Sequence, residues 1–358
     1  MKIAIIGAGW YGCHLASTLR EEGCAVQIFE ASGDVFTGAS GCNQNRLHLG
    51  FHYPRSALTR RQCASGYDDF LQKYARFSRP VTNNLYAVAR RRSLLDFETY
   101  LQILRASRLK FELCDPAAEG LTNVTGALRC TEQLVDTQAA RDYFRQHLAS
   151  SLRLKTAVTS LESTDDGAWV NGESFDLVLN CTWQTFIPCQ RWNIHYEPFL
   201  MLHYEGSAKC PALLVLDGPF SSFYPYRDSL FTLYSVRHSH QGNYKDISAA
   251  RARVREMDSA FITQVREKME LEVRRYFPSF TEMFRFQGAA TTVKTKVPDR
   301  SDRRSCEIKQ LGRVVHVYSG KLHGIFHAER RIKRIIQEIA SGAPRQDREV
   351  ALPCSGTV

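Results

Sequence analysis

Within its first thirty residues the chain sets an apolar run, a glycine cluster and an acidic residue in an order that leaves few folds open. The β-branched run KIAIIG (2–7) reads as a strand entering the turn GAGWYG; HLASTLREEG (14–23) reads as a helix closed by glycine, and AVQIFE (25–30) as a second strand. Both strands are apolar enough for a parallel sheet covered on two faces, so the unit is βαβ. Gly7, Gly9 and Gly12 satisfy GxGxxG. The first allows a tight turn, the second lets backbone approach a pyrophosphate, and the third lets helix and strand pack closely. The helix start adds amides and a positive dipole end. Glu30, at the end of the second strand, can accept hydrogen bonds from adenosine ribose hydroxyls. Dinucleotide binding is expected, although the motif alone does not separate FAD from NAD.

The remaining sequence does not continue as regular βα units. A glycine- and asparagine-rich segment, TGASGCNQNRLHLGFHYPRS (37–56), follows instead, and long loops of this kind often carry function. Helical patterns cover 57–74 and 93–105, a strand covers 81–89, and another helix starts at Asp136 or Thr137. SFDLVLNCT (174–182) reads as a buried strand of the first sheet. FLMLHYEG, ALLVLDG, SSFYPYR and LFTLYSV read as antiparallel strands, followed by helix over 248–276. With 358 residues, the chain exceeds the roughly 250–300 at which a single core stops growing. The fold class expected is α/β: a Rossmann-like domain with a parallel sheet from 1–78, 129–188 and 288–342, and an α+β substrate domain with a mostly antiparallel sheet from 79–128 and 189–287, leaving 343–358 as a loose tail.

Composition narrows the function classes. No apolar run reaches the roughly 18 residues of a membrane span. Glycines interrupt the only leader-like stretch, so a cytoplasmic protein is expected. Eleven cysteines without a CxxC pair point to reduced thiols rather than disulfides, and no metal site is expected. The net charge of +10 is spread over Arg60–Arg61, Arg90–Arg92, Arg303–Arg304 and Arg330–Arg334 with no nucleic-acid motif around them, so nucleic acid is not an expected partner. In the last cluster Ile332, Ile335, Ile336 and Ile339 recur at helical spacing, which puts Arg331, Lys333 and Arg334 on the wet side of a packed helix. Peripheral membrane contact through that face stays open.

The 37–56 loop resembles the D-amino-acid oxidase superfamily of FAD enzymes, and most of all the L-2-hydroxyglutarate oxidase/dehydrogenase branch, through Asn43, His48, Gly50 and Tyr53. FDLVLNCTW and YFPSF extend the similarity along most of the chain, and VYSGKLHGIFHAERRIKRII is similar to the family's last strand, flavin loop and helix. The resemblance implies FAD, noncovalently bound, with Gly7, Gly9, Gly12, Glu30, Ser40, Asn43, Arg46, Thr182, Gly320, Lys321 and Leu322 in contact with it. Two places depart from the family pattern. Thr182 and Trp183 stand where a small residue is usual, and TKVPDRSDRRSCEI only partly matches the usual turn.

A flavin oxidoreductase needs a proton acceptor and a way to hold substrate charge. His48 is a candidate base, with His52 as the second; His48 reads equally well as a loop residue that supports the cofactor. Lys321 is either a cation that stabilises reduced flavin or a surface lysine. Arg46, and Arg227 beside Tyr226, are candidate carboxylate clamps, with ion pairing as the alternative. The function expected is oxidation of a CH–OH or CH–NH group in a small polar, anionic substrate (2-hydroxy acid, amino acid or amino sugar), with dioxygen or a quinone as electron acceptor. A redox-neutral flavoprotein such as a sugar mutase and an NAD(P)-dependent dehydrogenase are the alternatives.

Overall fold

The strand Lys2–Ile6 is buried after Lys2 and lies inside a six-stranded sheet in a computed structural model that describes residues 1–207, 209–298 and 304–341. Strand order is Glu307–Leu311, Val314–Tyr318, Leu177–Asn180, Lys2–Ile6, Ala25–Phe29, Leu152–Arg153. Every pairing is parallel except that of the first two strands. Segments distant in sequence therefore assemble one cofactor-type sheet, with LVLN and VVHVY fully buried as its continuous apolar runs require. Helix Trp10–Glu21 buries ten of its twelve residues under helices Ala57–Tyr74 and Gly324–Ala340. Trp10 meets Phe36, Phe70, Tyr74 and Phe144 with ring centroids 4.8–6.1 Å apart, an aromatic core beneath the glycine turn.

A second, eight-stranded sheet runs Phe284–Lys296, His195–Gly206, Leu230–Ser235, Ser221–Arg227, Ala212–Leu216, Asn84–Ala89, Val124–Arg129, Glu112–Cys114. Only Ala212–Leu216 and Asn84–Ala89 pair in parallel, so the sheet is mostly antiparallel, as expected. Its longest strand, Phe284–Lys296, pairs along its whole length with His195–Gly206, and the expected domain boundary at 288 falls inside it. The helix expected over 248–276 divides into Ile247–Arg255 and Ser259–Val273. The cause is Asp258, whose carboxylate accepts from Phe261 N at 2.8 Å and starts a new helix rather than continuing the old one. Asp136, not Thr137, caps helix Thr137–His147. The expected tail lies outside the described residues, as do residues 299–303 of the partly matching TKVPDRSDRRSCEI turn. No described helix is long and apolar enough to cross a membrane.

Candidate active site

Gly7 takes φ +98°, and its amide bonds to Phe29 O at 2.8 Å, so the chain turns sharply out of the first strand. A Cβ on Gly12 would sit 1.9 Å from the Gly7 carbonyl oxygen, which is why no side chain is tolerated where the helix crosses that turn. Gly9 caps the helix with no side-chain bond, leaving the helix start to the loop: Ser40 Oγ accepts from Trp10 N at 3.0 Å. Glu30 lies at the end of the second strand, where its oxygens accept from Ala8 N and Ser32 N, both at 2.8 Å. Its carboxylate braces the turn as well as lining the site.

These residues open on a cavity of about 1090 Å³ between the two sheets. Pockets for one drug-sized ligand run to roughly 300–1,000 Å³, so the space suits a large cofactor and a second molecule. Gly7, Gly9, Glu30, Ser40, Asn43, Arg46, His48, His52, Thr182, Gly320, Lys321 and Leu322 all line it. Gly12 acts from behind the turn. Asn43 holds the loop in shape, donating to Ala39 O and Ser40 O and accepting from Asn45 N. Thr182 Oγ1 donates to Asn180 Oδ1 at 2.7 Å. A Cβ on Gly320 would come 2.2 Å from Arg304 O, so glycine lets the last flavin-type loop pass close to its neighbour.

Arg46 is wholly buried, and its Nη2 donates to Tyr86 OH and to Glu132 Oε2, the latter at 2.8 Å, while its guanidinium stacks 3.6 Å above the Tyr224 ring. Its Nε and Nη1 have no partner among the described residues. Glu132 also accepts from Leu49 N at 2.9 Å and Tyr86 OH at 2.7 Å, with His48 Nδ1 at 3.9 Å. Burial, with Arg46 and Lys321 nearby, pushes both His48 and His52 well below the ordinary imidazole range, so both are neutral at pH 7. Their rings meet edge to face at 5.6 Å.

Tyr226 and Arg227 correct the expectation that placed them at the reacting centre. Neither lines the cavity. The strand has an irregularity between Pro225 and Arg227, so alternation from buried Phe223 and Tyr224 does not carry the motif's end inward. Tyr226 instead bonds Gly41 O at 3.1 Å, on the far side of the loop.

The large sheet supplies residues that sequence patterns did not single out. Lys294 lines the cavity with its Nζ 3.1 Å from the Phe199 ring centroid, and burial pushes its amine down to about 7. Lys296 pairs with Glu197 at 2.7 Å, and His240 with the same carboxylate at 2.8 Å. Arg251 and Arg255, from the covering helix, add two further cations to the lining. Period-two spacing in KTK, which sets Lys294 and Lys296 on one strand face, was the one available signal. Trp183, in a left-handed turn at φ +54°, adds an indole N–H with no partner among the described residues. Orphaned donors on Arg46 and Trp183 and the bare glycine turn fit an anionic dinucleotide cofactor. Among the described residues no group of three His, Cys, Asp or Glu side chains could hold a metal ion.

A parallel sheet with a glycine turn at its centre, a mostly antiparallel partner sheet and one large cavity between them define a dinucleotide-dependent oxidoreductase of two layers. The family model described as FAD dependent oxidoreductase (DAO) matches residues 2–328, and the chain belongs to that family, with FAD as its cofactor. It is 40% identical over 338 residues to FAD-dependent monooxygenase FPY4 of Fusarium mangiferae, covering 94% of this chain and 91% of that one. FAD-dependent monooxygenase kojA of Aspergillus flavus is 27% identical, over 95% and 86%. In fold it is similar to glycine oxidase from Geobacillus kaustophilus (TM-score 0.70, 10% identity, 96% and 95% covered). The FAD-bound L-alpha-glycerophosphate oxidase from Mycoplasma pneumoniae superposes similarly (TM-score 0.71, 13% identity, 95% and 94%). The chain is thus an FAD-dependent oxidoreductase acting on a small molecule, which sets the NAD(P)-dependent alternative aside.

Proposed function

We propose that this enzyme oxidises a CH–OH or CH–NH group of a small polar, anionic substrate, with His48 as proton acceptor and His52 beside it. FAD, when bound, supplies the two-electron acceptor for such a reaction. The observation that carries the reading is a pair of buried imidazoles, held in the neutral form by burial and neighbouring positive charge, in a cavity whose charged lining residues are mostly cations. Unprotonated His48 is ready to take a proton, yet the surrounding positive charge opposes its protonation. A bound anion offsets that charge and raises the imidazole's basicity, so proton transfer is coupled to occupancy by the right substrate. Lys294, Arg251 and Arg255 are the groups that would hold that anion. The His48 loop supports a 2-hydroxy acid as the first substrate class to try. Cofactor attachment is noncovalent in this reading, and dioxygen or a quinone is the terminal electron acceptor.

An absorption spectrum followed by anaerobic addition of 2-hydroxy acids, amino acids and amino sugars tests it. Bleaching by an anionic member supports the reading, whereas a flavin that no member bleaches overturns it. Acid precipitation that leaves the colour in solution supports noncovalent attachment. Because two relatives are named monooxygenases, a second reading is oxygen transfer to the substrate. Turnover under labelled dioxygen separates them: label in the oxidised product favours oxygen transfer, and stoichiometric labelled peroxide with an unlabelled product favours simple oxidation.

A further inference from the structure

Tyr226 and Arg227, left without a part in the oxidation, form one wall of a second pocket of about 40 Å³. A water needs roughly 10–15 Å³ of such space, so the pocket has room for about three waters or one small polyatomic ion. Arg141, from helix Thr137–His147, and Arg227, at the end of strand Ser221–Arg227, both line it. Neither guanidinium makes an ion pair among the described residues, and both act electrostatically on the Tyr226 hydroxyl. Two like charges around so small a volume favour an anion between them.

Buried polar atoms point the same way. Thr137, the first residue of its helix, is only 7% exposed and lines the pocket, yet its Oγ1 has no partner among the described residues. Arg141 Nε is likewise buried without a partner among the described residues. Such atoms are rarely left unsatisfied in a native protein, and here the N-terminal end of the helix dipole adds to the positive field. The pocket also presents acceptors: the Asp136 carboxylate, and Asn45, whose Oδ1 is buried and has no partner among the described residues. A fully ionised anion gains nothing from these, whereas an anion that keeps a hydroxyl can donate to them.

We propose that this pocket binds a small protonated oxyanion, inorganic phosphate in its hydrogen form, and discriminates against sulfate. Arg141, Arg227 and Thr137 donate to its oxygens, and Asp136 and Asn45 accept from its hydroxyl. The site lies behind the loop whose opposite side lines the main cavity, since Tyr226 OH donates to Gly41 O next to Ser40.

Calorimetric titration of the flavin-loaded enzyme with phosphate and with sulfate, at matched ionic strength, tests this. Saturable phosphate binding is expected, with sulfate at least about tenfold weaker because it lacks the donor. Arg141→Gln and Arg227→Gln should each weaken phosphate about tenfold, and the double variant should show no saturable binding. Asp136→Asn keeps a good N-cap and should narrow the gap between the two anions. Flavin absorbance and substrate bleaching serve as folding checks, because neither arginine lines the main cavity. The proposal is overturned by absent phosphate saturation, by equal binding of the two anions, or by undiminished binding in the double variant, which would place the anion among the main cavity's cations.

Discussion

The two walls of the main cavity are built on different principles. On the parallel-sheet side, Gly7, Gly9 and Gly12 shape a backbone turn that has no room for side chains, and Glu30 and Ser40 brace it by accepting from its backbone amides. On the other side Phe199, Tyr234, His240, Arg251 and Lys294 come from separate parts of the large sheet and its covering helix, and act through charge and ring contacts. The first wall is fixed by sterics, where small changes fail outright. The second is fixed by charge balance, where changes give graded effects that depend on pH.

Gly12→Ala tests the steric wall and carries the largest expected effect. Its Cβ would meet the Gly7 carbonyl oxygen at 1.9 Å, so the turn must open and lose its approach to the cofactor. The purified variant should have almost no flavin absorbance while retaining helical circular dichroism. A yellow Gly12→Ala protein would break the comparison.

His48→Asn comes next and acts between the walls. Loss of a general base costs about 10²–10⁴-fold in rate, so anaerobic flavin bleaching should slow by that range while the cofactor stays bound. Rapid-mixing absorbance reads both quantities in one experiment. Colour lost together with rate would assign His48 to cofactor support.

That contrast also governs what the sequence made legible. The glycine turn, Glu30 and the helix over 57–74 are local patterns, and each can be read from neighbours a few residues apart. Glu197 and Lys294 are cross-strand partners separated by nearly a hundred residues, and no local period links them. Tyr226 and Arg227 were misplaced because a register irregularity, invisible in an alternating pattern, intervenes. Arg46 was legible as a loop cation, but its anchor Glu132 immediately precedes the strand Gln133–Val135, which pairs with the loop at Arg46–Leu47.

Glu132→Gln probes that anchor. The substitution keeps the shape but leaves the Arg46 guanidinium buried without a counter-charge, a change that costs about 3–5 kcal/mol. Urea denaturation should show the loss as a lower midpoint with little change in slope. A stability near wild type would mean that the Tyr224 ring and Tyr86 hydroxyl suffice to hold the arginine.

Lys294 offers the smallest effect and the sharpest test of the charge-balanced wall. Burial pushes its amine down to about 7, with Lys321 and Lys296 adding to the shift and Cys42 and Glu197 opposing it. Below about pH 7 the amine is charged and attracts an anionic substrate; above it the attraction fades, so KM should rise with pH while flavin content stays constant. Stability runs the other way. Between about 7 and 10.5 the unfolded chain holds a proton that the folded chain has released, so stability gains from this group as pH rises through that window. Lys294→Met should therefore raise KM about tenfold near pH 6 and little near pH 9, and flatten the stability gain between them. A KM that rises equally at both pH values would mean that Lys294 shapes the cavity without lending it charge, and would move the anion-holding role to Arg251 and Arg255.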